Sequence, residues 1–276
     1  MRSLPWLALL PGLVSAQVPA DLAREREEYA RWLAEAPNSP LVAKAQLPVG
    51  NGIRLGPADA DVPLPGFGDR RIVERNGRLT LESGQGGRVL PRHRLTTIGG
   101  YALYPGGEAG RTVVTVFGGN RLQKSPTYFP YDSTAVFVGP LINGDRASRV
   151  RILTLDGVEV EATDVGSVVV PDGGQPTRLR VYRIPEPGTE ELDLMIYFRD
   201  ATGDHGSYPA GRFLTLIPLP DGRYRLDFNR ARNPFCAYTG VYACPAPWPG
   251  NRLRSAIAAG ERYEGGPSEN QPGAPR

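Results

Sequence analysis

The chain has 276 residues, 40% of them hydrophobic and 22% charged, the ordinary balance of a soluble globular protein with one large or two small cores. The formal net charge is only +3, Lys44 and Lys124 are the only lysines, and the arginines are scattered among acids. No one-sided basic surface follows from that pattern, so nucleic acid is not an expected partner.

With 34 glycines and 28 prolines, chain breakers are frequent enough to predict short strands and turns in place of long helices. The N-terminus reads as a signal peptide over residues 1–16: a positive Met1-Arg2 start, an apolar run at residues 4–14, and small residues at Ser15 and Ala16 for cleavage before Gln17. The run is too short to span a bilayer, and no later segment is long and apolar enough. The expected mature chain is exported, periplasmic or extracellular, with no transmembrane segment. A helix is predicted over residues 22–36, capped by Asp21 and stopped by Pro37, with Leu22, Tyr29 and Leu33 on one face.

Beyond the helix, three tight turns sit between alternating runs: Asn76-Gly77, Asp156-Gly157 and Asp221-Gly222. Further strands are expected at residues 112–117, 134–138, 165–170, 178–184 and 192–198. A second helix is expected near residues 251–260. The fold class is mainly β: an antiparallel β-sandwich or partly open barrel with an N-terminal α-helix. Residues 17–262 are read as a single β-rich domain with a seam near 118–130, and residues 263–276 as a disordered tail.

The C-terminal half resembles the family known as domain of unknown function 1684. The stretches that carry the resemblance are FRDATGDHGSYPAGRFL at residues 198–214, LDFNRARNPFCAY at 226–238, YACPAPWPGNRL at 242–253 and AAGER at 258–262. The resemblance extends more loosely back to Leu22. It implies a set of signature residues, here Asp200, Thr202, Gly203, Tyr208, Arg212, Asp227, Asn229, Arg230, Asn233, Cys236, Cys244, Asn251 and Glu261, and it implies no activity or cofactor. The family's loop usually reads T-x-G-x-E-T-Y, whereas this chain has Asp204-His205-Gly206-Ser207-Tyr208.

Candidate chemistry gathers at one predicted loop end. If residues 192–198, 212–216 and 224–228 form a meander, the loop 199–211 and the exit 229–233 lie side by side. Asp200, Thr202, His205, Tyr208 and Arg212 then meet Asp227, Asn229, Arg230 and Asn233. Such acids, amides and arginines suit a small polar or anionic ligand, as partner of a binding or envelope-associated module. The same residues suit a buried network that pins irregular loops. A hydrolase using Asp200, Asp204 or His205 is the enzymatic alternative, and a purely structural or interaction protein is the third.

Cys236 and Cys244, in an exported chain, read first as a disulfide. Their spacing is not C-x-x-C, and with His93 and His205 they match no zinc pattern, so no metal is expected. The Gly-rich pieces do not join a strand to a helix, so no phosphate cradle and no cofactor is expected.

Overall fold

The computed structural model describes residues 17–185, 192–203, 205–246, 248 and 250–265, without the side chains of 145–147. The sequence-predicted signal peptide, Asp204, Pro247, Pro249 and nearly all of the tail lie outside the described residues. Helix α1 is Ala20–Glu35. The strands follow as β1 Ala43–Pro48, β2 Ile53–Gly56, β3 Val62–Pro63, β4 Arg70–Arg75, β5 Arg78–Ser83, β6 Gly86–Val89, β7 Thr96–Ile98, β8 Tyr101–Gly106 and β9 Val113–Phe117. In the second half they are β10 Val136–Gly139, β11 Ile142–Leu153, β12 Glu159–Asp172, β13 Gln175–Pro185, β14 Leu192–Phe198, β15 Arg212–Thr215, β16 Ile217–Pro218 and β17 Tyr224–Asp227.

Four sheets form: β1-β9-β8-β7, β3-β2-β4-β5-β6, β11-β12-β13-β14-β15 and β10-β17-β16. The pairings between these strands are antiparallel except β2 with β3. The first two sheets share one core, in which Ile53, Leu55 and Ile72 meet Leu103, Val114 and Val116. Alternation along β9 turns Val114 and Val116 inward, so Thr115 and Phe117 face out of that core, yet both are buried. Something covers the outer face, and the cover proves to be the second half of the chain.

The five-stranded sheet β11–β15 contributes to two cores, and its strand β14 is covered on both faces at its end. Ile196 and Phe198 of β14 pack with Leu226, Phe228 and Leu253, whereas Met195 and Tyr197 pack with Phe235, Tyr242 and Trp248. A strand covered on both faces needs apolar residues at consecutive positions, which explains the unbroken run LMIYF. In β12 the alternation changes phase. Asp164 pairs with Tyr182 but Gly166 pairs with Val181, so Val165 is a bulge. Ala162 therefore faces one core while Val168 and Val170 face the other, although all three are even-numbered. Gly166 has φ 133°, and a Cβ there would lie 2.2 Å from the Ile142 carbonyl oxygen, so only glycine fits.

The mainly β sandwich with an N-terminal helix agrees with the sequence, but several details differ. Pro19, not Asp21, stands at the N-cap of α1. Asp21 lies within the first turn, where a carboxylate is favoured by the helix dipole, and it pairs with Arg230. The Asn76-Gly77 turn is as expected, both residues having positive φ between paired Arg75 and Arg78. Asp156-Gly157 lies in a wider connection between paired Leu153 and Glu159. No second helix forms near 251–260. Donors of that segment are taken by neighbours instead: Leu253 N–H by the Arg199 carbonyl, and Arg254 and Ser255 N–H by the Asp172 carboxylate. The predicted three-strand meander is half right. β15 pairs with β14, but β17 joins β10 and β16 in a separate sheet.

Cys236 and Cys244 form a disulfide with Cα atoms 5.5 Å apart, eight residues apart in sequence. It closes a loop that carries Tyr242 and is flanked by Phe235 and Trp248, and the three rings pack against one face of the five-stranded sheet. On the chain-entropy account a bridge this short stabilises by about 2–3 kcal/mol. Urea titrations with and without reductant are expected to differ by that amount, and identical midpoints would show that the covering loop holds without its covalent tie.

Candidate functional site

The predicted loop-end residues do converge, through a third segment. Arg212, 1% exposed, donates from Nη2 to Asp200 Oδ2 at 2.6 Å and to the Ile257 carbonyl at 2.9 Å, and from Nη1 to the Ala259 carbonyl at 2.5 Å. Phe198 and Phe129 lie over and under its guanidinium. Asp200 Oδ1 accepts from the backbone of Thr202 at 2.7 Å and of Ile257 at 3.3 Å. The Thr202 hydroxyl lies between that oxygen and the Ser207 hydroxyl. Burial draws the Arg212 pKa below its ordinary value, and Asp200 opposes the shift.

The second stretch is engaged in the same way, apart from one amide oxygen of Asn233. Asn229, wholly buried, accepts from the Asp132 N–H at 2.9 Å and donates to the Asp132 carbonyl at 2.8 Å and to Asp227 at 3.0 Å. Arg230 pairs with Asp227, and with Asp21 and Glu25 of α1. Asn233 donates its backbone N–H to Glu261 and its side-chain amide to the Arg262 carbonyl. The Tyr208 hydroxyl rests 3.4 and 3.2 Å from the two disulfide sulfurs. His205 is exposed, and its backbone N–H closes a turn on Thr202. Both stretches thus close on residues 257–262. The polar groups that suggested a ligand site hold the chain to itself.

Next to them is a carboxylate outside the ligand set expected from sequence. Glu261 is 1% exposed, accepts from the Tyr238 hydroxyl and the Asn233 N–H, and is pushed up to about 7, chiefly by burial. Tyr29 and Tyr128 are pushed up as well, by burial first and then by the Glu261 charge. The Asn233 amide oxygen is buried there without a hydrogen-bond partner.

Concavities lie elsewhere on the described residues. An open cleft of about 680 Å³ is lined by Glu74, Asn76, Gly110, Arg111, Thr112 and Glu159. Its charges are already matched: Arg111 with Glu159 at 3.3 Å, and Glu74 with Arg92 and the Gly110 N–H. Another is a narrow, part-open slot of about 40 Å³ where the outer face of the first sheet meets α1 and the disulfide loop. Its walls are Trp32 of α1, Asn38, Tyr104 of β8, Thr115 and Phe117 of β9, Asp156 from the β11–β12 turn, Phe235 and Tyr242. Trp32 stacks on Phe235 at 5.8 Å, and Phe235 meets Tyr242 edge-on at 5.5 Å.

The slot's polar floor is built by position. Gln46 of β1 donates to the Thr115 hydroxyl at 3.1 Å and to the Asp156 carbonyl at 2.8 Å. Asp156 Oδ1 accepts from the Thr154 hydroxyl at 2.5 Å. Gly157, at φ 68°, lets the turn press against Ala243, next to Cys244. Burial, with the Asp156 charge second, raises the Tyr242 hydroxyl pKa. We regard the slot as the better candidate, because it is narrow, lined by aromatic rings and carries an acidic side chain, the mixture of apolar walls and few polar groups that ligand sites show.

A family model described as "Protein of unknown function (DUF1684)" matches residues 124–262. The chain belongs to the DUF1684 family. An uncharacterized protein of Haloarcula marismortui, solved in solution by NMR, is similar: 32% identical, covering 51% of this chain and 77% of that one, with a TM-score of 0.43. Comparison with curated proteins gives no match. Within the matched span lie Asp200, Arg212, Asn229, Asn251 and Glu261, and each is buried. Asn251 acts as a strand partner in miniature, its amide bonding both the N–H and the carbonyl of Arg180. Three of the slot's walls, Asp156, Phe235 and Tyr242, also come from the DUF1684 span, while Trp32, Tyr104 and Phe117 precede it.

Truncating Arg212 leaves Asp200 buried without its charge partner. Arg212→Ala is expected to cost about 3–5 kcal/mol in urea titrations, and a loss below 1 kcal/mol would show the pair is not structural. Glu261 gives a pH signature of definite sign. Its folded pKa lies above the ordinary 4.5, so its contribution is complete below 4.5 and is lost as the pH rises through about 7. Stability is expected to fall on that account by up to about 3 kcal/mol. Glu261→Gln should flatten this part of the pH profile, and parallel profiles for the two proteins would refute the assignment.

Proposed function

We propose that this protein is an exported, non-catalytic binding module, envelope-associated or secreted, whose ligand site is the aromatic slot and not the polar loop end. The observation that carries the reading is the slot: five rings and a carboxylate from separate parts of the chain enclose space that their own packing leaves open. About 40 Å³ exceeds the 10–15 Å³ that one water requires, so the slot admits a head group while the rest of a ligand stays outside. The loop end argues in the same direction. Arg212 and Asn229 spend their hydrogen-bonding capacity on protein partners, which disfavours both an anion site there and a hydrolase built on Asp200.

Export rests on the signal-peptide reading of residues 1–16 and agrees with a disulfide, which persists in oxidising compartments. Among the described residues no helix is long and apolar enough to cross a membrane. Two measurements test the proposal. The exported protein should have a mass starting at Gln17 with both cysteines oxidised. A fragment library followed by ligand-observed NMR should yield binders that are lost in Trp32→Ala, a partly buried helical position where the variant's melting curve checks folding. A retained leader would end the export reading, and fragments indifferent to Trp32→Ala would end the slot reading.

A further inference from the structure

We infer that the slot takes a small organic cation, specifically a trimethylated or quaternary ammonium head, enclosed by Trp32, Tyr104, Phe117, Phe235 and Tyr242 against the Asp156 carboxylate. The inference rests on the slot being the ligand site and names the class of its occupant. Aromatic rings present a negative face to a ligand, and an ammonium centre within about 6 Å of several ring centres gains from each. The one charged side chain lining the slot is acidic and 8% exposed. No lysine or arginine lines the slot, so an anion would meet a like charge in a poorly solvated space.

The hydrogen-bond pattern selects among cations. A primary ammonium carries three donors and loses them on burial unless three acceptors converge. Here the Thr115 hydroxyl oxygen already accepts from Gln46, and Asp156 Oδ1 already accepts from Thr154 and, at 3.4 Å, from the Val158 N–H. A methylated ammonium has no donors to satisfy and offers an apolar surface to the rings. The size agrees: the room suits a compact head and not a whole lipid or sugar. Trp32 and Tyr104 are part-exposed and form the mouth, while Phe117, Phe235, Tyr242 and Asp156 are buried behind them.

The test is calorimetry on the full mature chain with choline, tetramethylammonium and 3,3-dimethyl-1-butanol, the last having the shape of choline without its charge. Choline and tetramethylammonium are expected to bind with Kd near or below about 1 mM, and the neutral alcohol at least about tenfold more weakly. Asp156→Asn should remove most of that discrimination. Because Asp156 also braces its own turn, Trp32→Leu provides an independent variant, expected to weaken the cations about tenfold while the fold is retained. Co-sedimentation with phosphatidylcholine vesicles distinguishes a lipid head group from a free solute as the source of the same chemistry. Equal or tighter binding of the neutral alcohol overturns the cation inference and leaves a ligand-binding slot in place. Silence of both cations also overturns it, and the fragment experiment above then decides separately whether the slot binds anything.

Discussion

A guanidinium cannot shed its charge inside a protein, and the C-terminal half of this chain is arranged around that fact. Arg212 sits at the start of β15 with almost no solvent contact, so its donors must be met by protein atoms. Asp200 meets them from the preceding loop, and the carbonyls of Ile257 and Ala259 from a segment forty-odd residues away in sequence. Once those carbonyls are held, the rest of the segment is placed. Gly260 passes against Phe228 and Ala231, where a Cβ would lie 2.6 Å from the Phe228 carbonyl oxygen. Glu261 then reaches Asn233 and Tyr238, and its backbone N–H bonds Ala231. The irregular stretches of the C-terminal half are thus ordered by one buried cation and the groups recruited to it.

This changes where function is sought. Polar residues crowded at a sheet end look like a binding site until their partners are counted, and here the partners belong to the same chain. The aromatic slot has the opposite character. Its rings satisfy one another by contact but leave space between them, and its carboxylate lies among rings. The two regions meet at one short turn. Phe235–Ala237 is a single 3-10 turn in which Phe235 walls the slot and Cys236 begins the disulfide, and Tyr238, just after it, caps the Glu261 cluster.

What sequence made legible follows the range of the forces involved. Asn76-Gly77 announces its turn because both residues must adopt positive φ, a local demand. Helix α1 is announced by the spacing of Leu22 and Leu33, and the cysteine pair by proximity within one loop. The meeting of 200–212 with 229–233 was also legible, though for an incomplete reason. β17 leaves the sheet to pair with β10, a competition between strands that no single strand encodes. The Gly173-Gly174 turn, which joins paired Asp172 and Gln175, was not among the expected hairpins. The slot was not readable. Trp32, Tyr104 and Phe117 carry no mark where they stand, Asp156 is marked only as a turn residue and Tyr242 only by the family resemblance, and only the docking of the two halves brings them together. Nor does sequence distinguish Glu261 from an exposed acid, since its proton affinity is set by the walls around it.

The phase change at Val165 has a consequence for how this chain tolerates length variation. In a sheet with one wet face, a slipped strand exposes some apolar groups and can be rescued by surface changes. β12 instead feeds two layers in turn, one stretch serving the core of Ala162 and the next that of Val168. Removing a single residue between Asp164 and Gly166 would restore regular pairing and, by doing so, send one of these two stretches to the wrong layer. Insertions and deletions in relatives are therefore expected to spare this strand and to collect in the turns beyond its ends.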